Sequence, residues 1–120
     1  FAQREMICSY SGECWLDPAS MNALQRLRDT VGVPLPISSG YRSENHPVEI
    51  SKERGGSHTL GKAFDVACRG ATAYEVFGAA KDCGFTGIGV NQSSEGRFIH
   101  LDTITELDNF PAERPTIWSY

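Results

Sequence analysis

The stretch that most restricts what this chain can fold into is Ala63-Phe64-Asp65-Val66-Ala67. A strand sends successive side chains to opposite faces, so Ala63, Asp65 and Ala67 share one face and Phe64 and Val66 the other. A carboxylate flanked by two alanines makes a poor core face. It does leave room beside a charge for a metal ion and a substrate. The residues just ahead, Gly56-Ser57-His58-Thr59-Leu60-Gly61, place an imidazole seven positions before that carboxylate, with a glycine at the bend.

A second stretch, Arg97-Phe98-Ile99-His100-Leu101-Asp102-Thr103, alternates in the same way. Ile99 and Leu101 belong to the core, while Phe98, His100 and Asp102 face the other side. If the two strands are neighbours with aligned faces, Asp65 and His100 lie side by side and His58 enters from the loop above. Two histidines and one aspartate leave a fourth tetrahedral position open, which is the layout of a catalytic rather than a structural zinc site. His58, Asp65 and His100 are therefore the expected metal ligands.

The remainder of the chain is ordinary in composition. With 120 residues, 40% hydrophobic and 22% charged, it suits one small domain over 1–120 with a single core. A net charge of -4 with no Lys/Arg cluster gives no attraction to nucleic acid. No apolar run approaches the ~20 residues of a membrane span, and no partner subunit is expected. Cys68 and Cys83 belong at opposite ends of one helix, too far apart to bridge. Cys8 and Cys14 either meet across a turn at Ser11-Gly12 or remain free thiols; the free state is the expectation. The pairing of H-x-E with P-C-x-x-C that marks zinc deaminases is absent.

Phe1 to Trp15 reads as an irregular lead-in. Asp17-Pro18 starts a helix as N-cap and first residue, Met21, Leu24, Leu27 and Val31 form its buried stripe, and Gly32 stops it. Val33 to Ser38 reads as an edge strand because of its prolines. Glu44 to Gly56 reads as a mobile loop over the site, and His46 within it is a further candidate. Thr72-Ala73-Tyr74-Glu75 reads as a capping box opening a second helix to about Asp82, with Tyr74, Val76, Phe77 and Ala80 inward and Gly84 ending it. Gly87 to Val90 is a third strand, joined by a hairpin loop, 91–96, to the His100 strand. The tail from Thr103 folds back and ends in Ile117-Trp118-Ser119-Tyr120. The fold class is α+β: a small, mostly antiparallel sheet with two main helices.

Three ordered motifs carry a resemblance. S-H-x-x-G-x-A-x-D (Ser57 to Asp65), F-I-H-x-D (Phe98 to Asp102) and the upstream Ser39-Gly40-Tyr41-Arg42 are similar to the zinc D-Ala-D-Ala carboxypeptidase family. That family includes D-Ala-D-Ala dipeptidases and phage peptidoglycan endopeptidases and shares its fold with the Hedgehog signalling domain. Gly87-Ile88-Gly89-Val90 and Trp118-Ser119-Tyr120 resemble its small phage and bacterial branch.

The resemblance implies zinc as cofactor and Arg42 as the group that holds a substrate carbonyl or terminal carboxylate and stabilises the oxyanion. Relatives often place a Glu or Asp three residues before the second histidine, where this chain has Arg97. The general base is therefore left to Glu95, which is preferred, or to Asp102, whose other role is to orient His100. Ser57 either bonds substrate or caps the turn before His58. Tyr41 and Trp118 wall the pocket or belong to the core.

The implied function is a zinc metallopeptidase cutting peptidoglycan stem peptides at a bond involving D-alanine. It would act outside the bacterial cytoplasm, in periplasm or cell wall, or be phage-encoded and act on the wall. The rival is a catalytically silent zinc-containing binding or virion structural module of the same fold.

Overall fold

The computed structural model describes residues 3–8, 11–12, 14–42 and 57–120. The loop read over Glu44 to Gly56, with His46, lies outside the described residues. A single helical turn, α1 (Gln3–Met6), occupies part of the lead-in that the sequence suggested was irregular. Its Met6 is buried in the core.

Helix α2 (Pro18–Val31) forms as its caps dictate. The Asp17 carboxylate accepts from the Ser20 backbone N–H at 3.0 Å and from its hydroxyl at 2.8 Å. Gly32 closes the other end in the left-handed conformation (φ 79), donating its N–H to the Arg28 carbonyl. Ala23, Leu24 and Leu27 are buried, with Met21 and Val31 packed against them.

Helix α3 (Gly70–Ala80) departs from expectation at its start and along its face. The N-cap is Arg69 without a side-chain bond, and Thr72 lies inside the first turn. Gly70, at φ 58, turns the extended chain directly into the helix, two residues ahead of the Thr72 signal. The buried stripe is Ala73, Val76 and Ala80. Tyr74 and Phe77 are 78% and 44% exposed, because small residues let the helix sit close to the sheet and leave the rings at its rim.

Five strands form one sheet: β1 (Ile37–Ser39), β2 (Ala63–Ala67), β3 (Gly87–Asn91), β4 (Phe98–Asp102) and β5 (Thr116–Ser119). Their order is β1-β2-β4-β3-β5, antiparallel throughout except for the parallel β3/β5 pair. The edge position of β1 agrees with its flanking prolines, but the strand is shorter than 33–38. Pro34 and Pro36 stay outside it, and the Pro36 carbonyl accepts the Ala67 N–H at 2.8 Å. β5 is a strand where the sequence suggested only a folded-back tail; its two inner-facing residues are too few to set a period.

One sheet face carries Phe64, Val66, Ile99 and Leu101 into a core shared with α2 and α3. Burying such side chains contributes about 1.5–3 kcal/mol each. The opposite face is left for polar groups.

Candidate metal centre

Pairing between β2 and β4 sets Asp65 directly opposite His100. The register continues across the sheet, so Ser39, Asp65, His100, Gly89 and Trp118 form one row over all five strands. Next to it runs a second row of Ala63, Asp102, Gly87 and Thr116.

His58 arrives on a 3₁₀ turn, Ser57–Leu60. Gly61 ends that turn at φ 69, and a Cβ there would overlap the Trp15 carbonyl, so the turn needs glycine twice over. The Gly40 carbonyl accepts the His58 Nδ1 proton at 2.7 Å. A carbonyl can only accept, so this bond fixes the neutral ring's tautomer and frees Nε2 as a ligand. Arg42 N–H donates to the His58 carbonyl at 3.2 Å, and Tyr41 N–H to that of Met6 at 2.9 Å. Ser39-Gly40-Tyr41-Arg42 therefore holds His58 through its backbone.

Three atoms converge. His58 Nε2 lies 3.3 Å, and His100 Nδ1 3.1 Å, from Asp65 Oδ1. All three ligand atoms lie within 4.8 Å of one another, and all three residues are buried. A tetrahedral zinc with bonds of ~2.0–2.2 Å sets its ligand atoms ~3.3 Å apart. The donor set and these two edges fit zinc. The rings meet edge-on, with centroids 5.3 Å apart at 72°.

The other nitrogen of His100, Nε2, lies 2.8 Å from Asp102 Oδ2. Asp102 in turn holds Arg114 through paired bonds, Nε to Oδ1 at 2.9 Å and Nη2 to Oδ2 at 2.8 Å. Such carboxylates behind a ligand histidine orient the ring and raise its basicity.

Burial works against ionising Asp65, but hydrogen bonds and charge from His100 and His58 outweigh it and hold its carboxyl well below the usual range. Asp102 is lowered likewise, burial being outweighed by His100 and Arg114. For His100, burial disfavours the charged ring, yet Asp102 and Asp65 raise its proton affinity above the ordinary histidine value.

Two glycines make room for this face. A Cβ on Gly89 would come within 2.5 Å of the Trp118 indole, which crosses the strand to lie 5.1 Å from the His100 ring, centroid to centroid. A Cβ on Gly87 would overlap the Asp102 carboxylate and Arg114 Nε. Beyond Trp118, Tyr120 packs on Phe98 at 5.1 Å. Burial raises the Tyr120 hydroxyl's pKa, its Trp118 bond lowers it, and the charges of Asp65, Arg42 and Asp102 all reach it.

Tyr41, Arg42 and Ser57 are half-buried around His58. Glu95 stands apart: it is exposed in the loop between β3 and β4 and takes no part in the bonds joining His58, Asp65, His100 and Asp102. Arg114 and the Gly40 carbonyl were not foreseen. Asp102 itself was the signal for Arg114, since a carboxylate facing inward demands a cation, but any of 11 lysines and arginines could have answered. No disulfide joins Cys8, Cys14, Cys68 and Cys83 to one another.

No curated protein matches the chain. The sequence model of the family described as Peptidase M15 matches residues 1–102, which include all three converging side chains. Peptidases of this family depend on zinc, the metal that the donor set fits. The chain therefore belongs to the M15 peptidases.

Proposed function

We propose that this protein is a zinc metallopeptidase that hydrolyses peptidoglycan stem peptides at a bond involving D-alanine. The observation that carries the reading is the approach of His58 Nε2 and His100 Nδ1 to Asp65 Oδ1 at tetrahedral spacing in an M15 chain. Zinc held by these three residues supplies Lewis acidity and lowers the pKa of water to about 7.

The chain's own groups supply the remainder. Gly40 and Asp102 hold the two imidazoles with the ligand nitrogens presented. Arg42 offers a guanidinium fork to the substrate's carbonyl or terminal carboxylate. Ser57 and Tyr41 line the approach to His58, and Trp118 walls the His100 side. With Asp102 committed to Arg114 and His100 and closed to solvent, proton transfer is assigned to Glu95, a solvent-exposed carboxylate on the loop between β3 and β4. The stem peptide as substrate places the action outside the bacterial cytoplasm or in a phage's attack on the wall, with the protein working as a monomer.

Arg97, standing where relatives often carry a carboxylate, favours a second reading, a silent zinc-containing binding or virion module. Digestion of purified muropeptides followed by mass spectrometry separates the two. The peptidase reading expects cleavage next to D-alanine that a chelator abolishes and zinc restores. Stoichiometric zinc with no cleavage of any stem peptide would favour the silent module.

A further inference from the structure

Asp102 is unusually well supplied with donors. Oδ1 accepts from Arg114 Nε at 2.9 Å and from the Ile104 N–H at 3.3 Å. Oδ2 accepts from Arg114 Nη2 and from His100 Nε2, both at 2.8 Å. The side chain is 0% exposed and that of Arg114 5%. A carboxylate so buried is tolerated only when paired and fully hydrogen-bonded. The guanidinium fork neutralises it and also fixes its plane, because two parallel bonds leave no freedom to rotate.

That plane decides where the His100 ring points. With Nε2 bonded to Oδ2, the ring's other nitrogen has a single direction left, toward Asp65 Oδ1. Gly87, paired with Asp102 across the β3/β4 ladder, keeps the space open. The guanidinium itself lies 5.4 Å from the Phe110 ring centroid and 5.2 Å from that of Trp118. Its position is thus set by packing on both sides as well as by charge.

We infer that Arg114 is a positioning residue of the metal centre, holding Asp102 so that His100 presents Nδ1 to the ion. The inference rests on the zinc reading above. Arg114 touches no ligand atom and acts through Asp102 alone. It lies after the residues matched to the family, so the tail of this chain supplies it. Lysine keeps the charge but cannot reproduce the fork.

The test compares Arg114→Met and Arg114→Lys with the parent protein in three measurements: zinc affinity by competition with a chromophoric chelator, the visible spectrum after cobalt substitution, and the proton spectrum without metal. Arg114→Met is expected to weaken zinc binding by roughly 10–100-fold and to shift the cobalt bands, with Arg114→Lys intermediate. In the metal-free parent the His100 Nε2 proton, shared with Asp102, should exchange slowly; Arg114→Met should lose that protection. If Arg114→Met does not fold, Arg114→Lys carries the comparison, expected to bind zinc less tightly than the parent, and the neutral double variant Arg114→Met/Asp102→Asn is compared with Asp102→Asn alone, to which loss of Arg114 should add little. Folded variants with parental zinc affinity, cobalt spectrum and ring-proton exchange would overturn the inference. A parent that takes up no zinc would instead overturn the metal reading, and the ring-proton comparison would still decide the part played by Arg114.

Discussion

At His58 the Gly40 carbonyl takes the Nδ1 proton, and at His100 the Asp102 carboxylate takes the Nε2 proton, so the two rings offer opposite nitrogens to one centre. The sequence motif named both histidines but could not say which nitrogen each would present, because that depends on the Gly40 carbonyl just past β1 and on the carboxylate of Asp102, two residues along β4 from His100. Protonation follows from the same contacts. The raised affinity of His100 for its proton contributes stability that is complete below the unfolded histidine pKa of ~6.5 and fades as pH rises through the folded value. Asp65 and Asp102, both lowered, contribute above ~4 and lose that contribution as pH falls through their folded values. The metal-free protein should therefore draw most from this cluster between about pH 4 and 6.5. Zinc competes with the proton on Nδ1, so the rise in Tm caused by zinc should grow from about pH 5 to about pH 8. Calorimetry with and without zinc checks this, and a pH-independent rise would count against the ligand set. The two acids separate by kinetics. Glu95→Gln should retain zinc and lower kcat by roughly 10²–10⁴-fold, whereas Asp102→Asn should lower zinc affinity by about 10–100-fold and, once loaded with zinc, lower kcat less than Glu95→Gln does. The opposite ranking would make Asp102 the base.

Among the elements, β2 and β4 were legible because each combines a period of two with a chemistry-bearing residue on the non-core face. Their register, Asp65 to His100, agrees with the side-by-side placement that the alternation implied. α2 was legible at both ends, since Asp17, Pro18 and Gly32 act through bonds within a few residues. α3 is capped three residues ahead of the Thr72 cap that the sequence suggests, because Gly70, a backbone permission rather than a hydrogen-bonding signal, sets its start. β5 escaped because its pairing with β3 is parallel and lies far from it in sequence, where local pattern carries no information. The Gly-Ile-Gly of β3 stood out in the sequence, and its meaning is steric. Gly87→Ala must displace the Asp102–Arg114 pair and Gly89→Ala the Trp118 indole, each costing roughly 1–3 kcal/mol as overpacking. Gly78, on α3 with nothing within 4 Å of an added Cβ, is the control; Gly78→Ala should stabilise by about 0.5–1 kcal/mol. Urea denaturation of the three variants tests the contrast, and equal effects at 78, 87 and 89 would contradict it.

Over the whole molecule, two faces of one sheet divide the labour. The helices bury one face, and the row from Ser39 to Trp118 crosses the other. A groove of about 750 Å³ at the α3 rim, lined by Tyr74, Phe77, Val90 and Ile117 among others, has no histidine, cysteine or carboxylate among the described residues that line it, and meets the metal-site row only at Trp118. The centre draws on residues from Gly40 to Trp118, so removal of one end should be felt at the other. A chain ending at Asn109 keeps His58, Asp65 and His100 but loses Arg114, Trp118 and the pairing of β5. It is expected to melt at lower temperature and to bind zinc less tightly than the parent, as thermal scans and chelator competition would register. Parental zinc affinity in the shortened chain would detach the tail from the centre. The parallel strand has a consequence in time as well as in space. A ribosome adds His58, Asp65 and His100 before Arg114 and Trp118, so for a short interval the nascent chain holds all three converging side chains while the ring of His100 lacks its brace. The row across the sheet is then completed late, once the tail has paired with β3 and brought Arg114 and Trp118 against the centre.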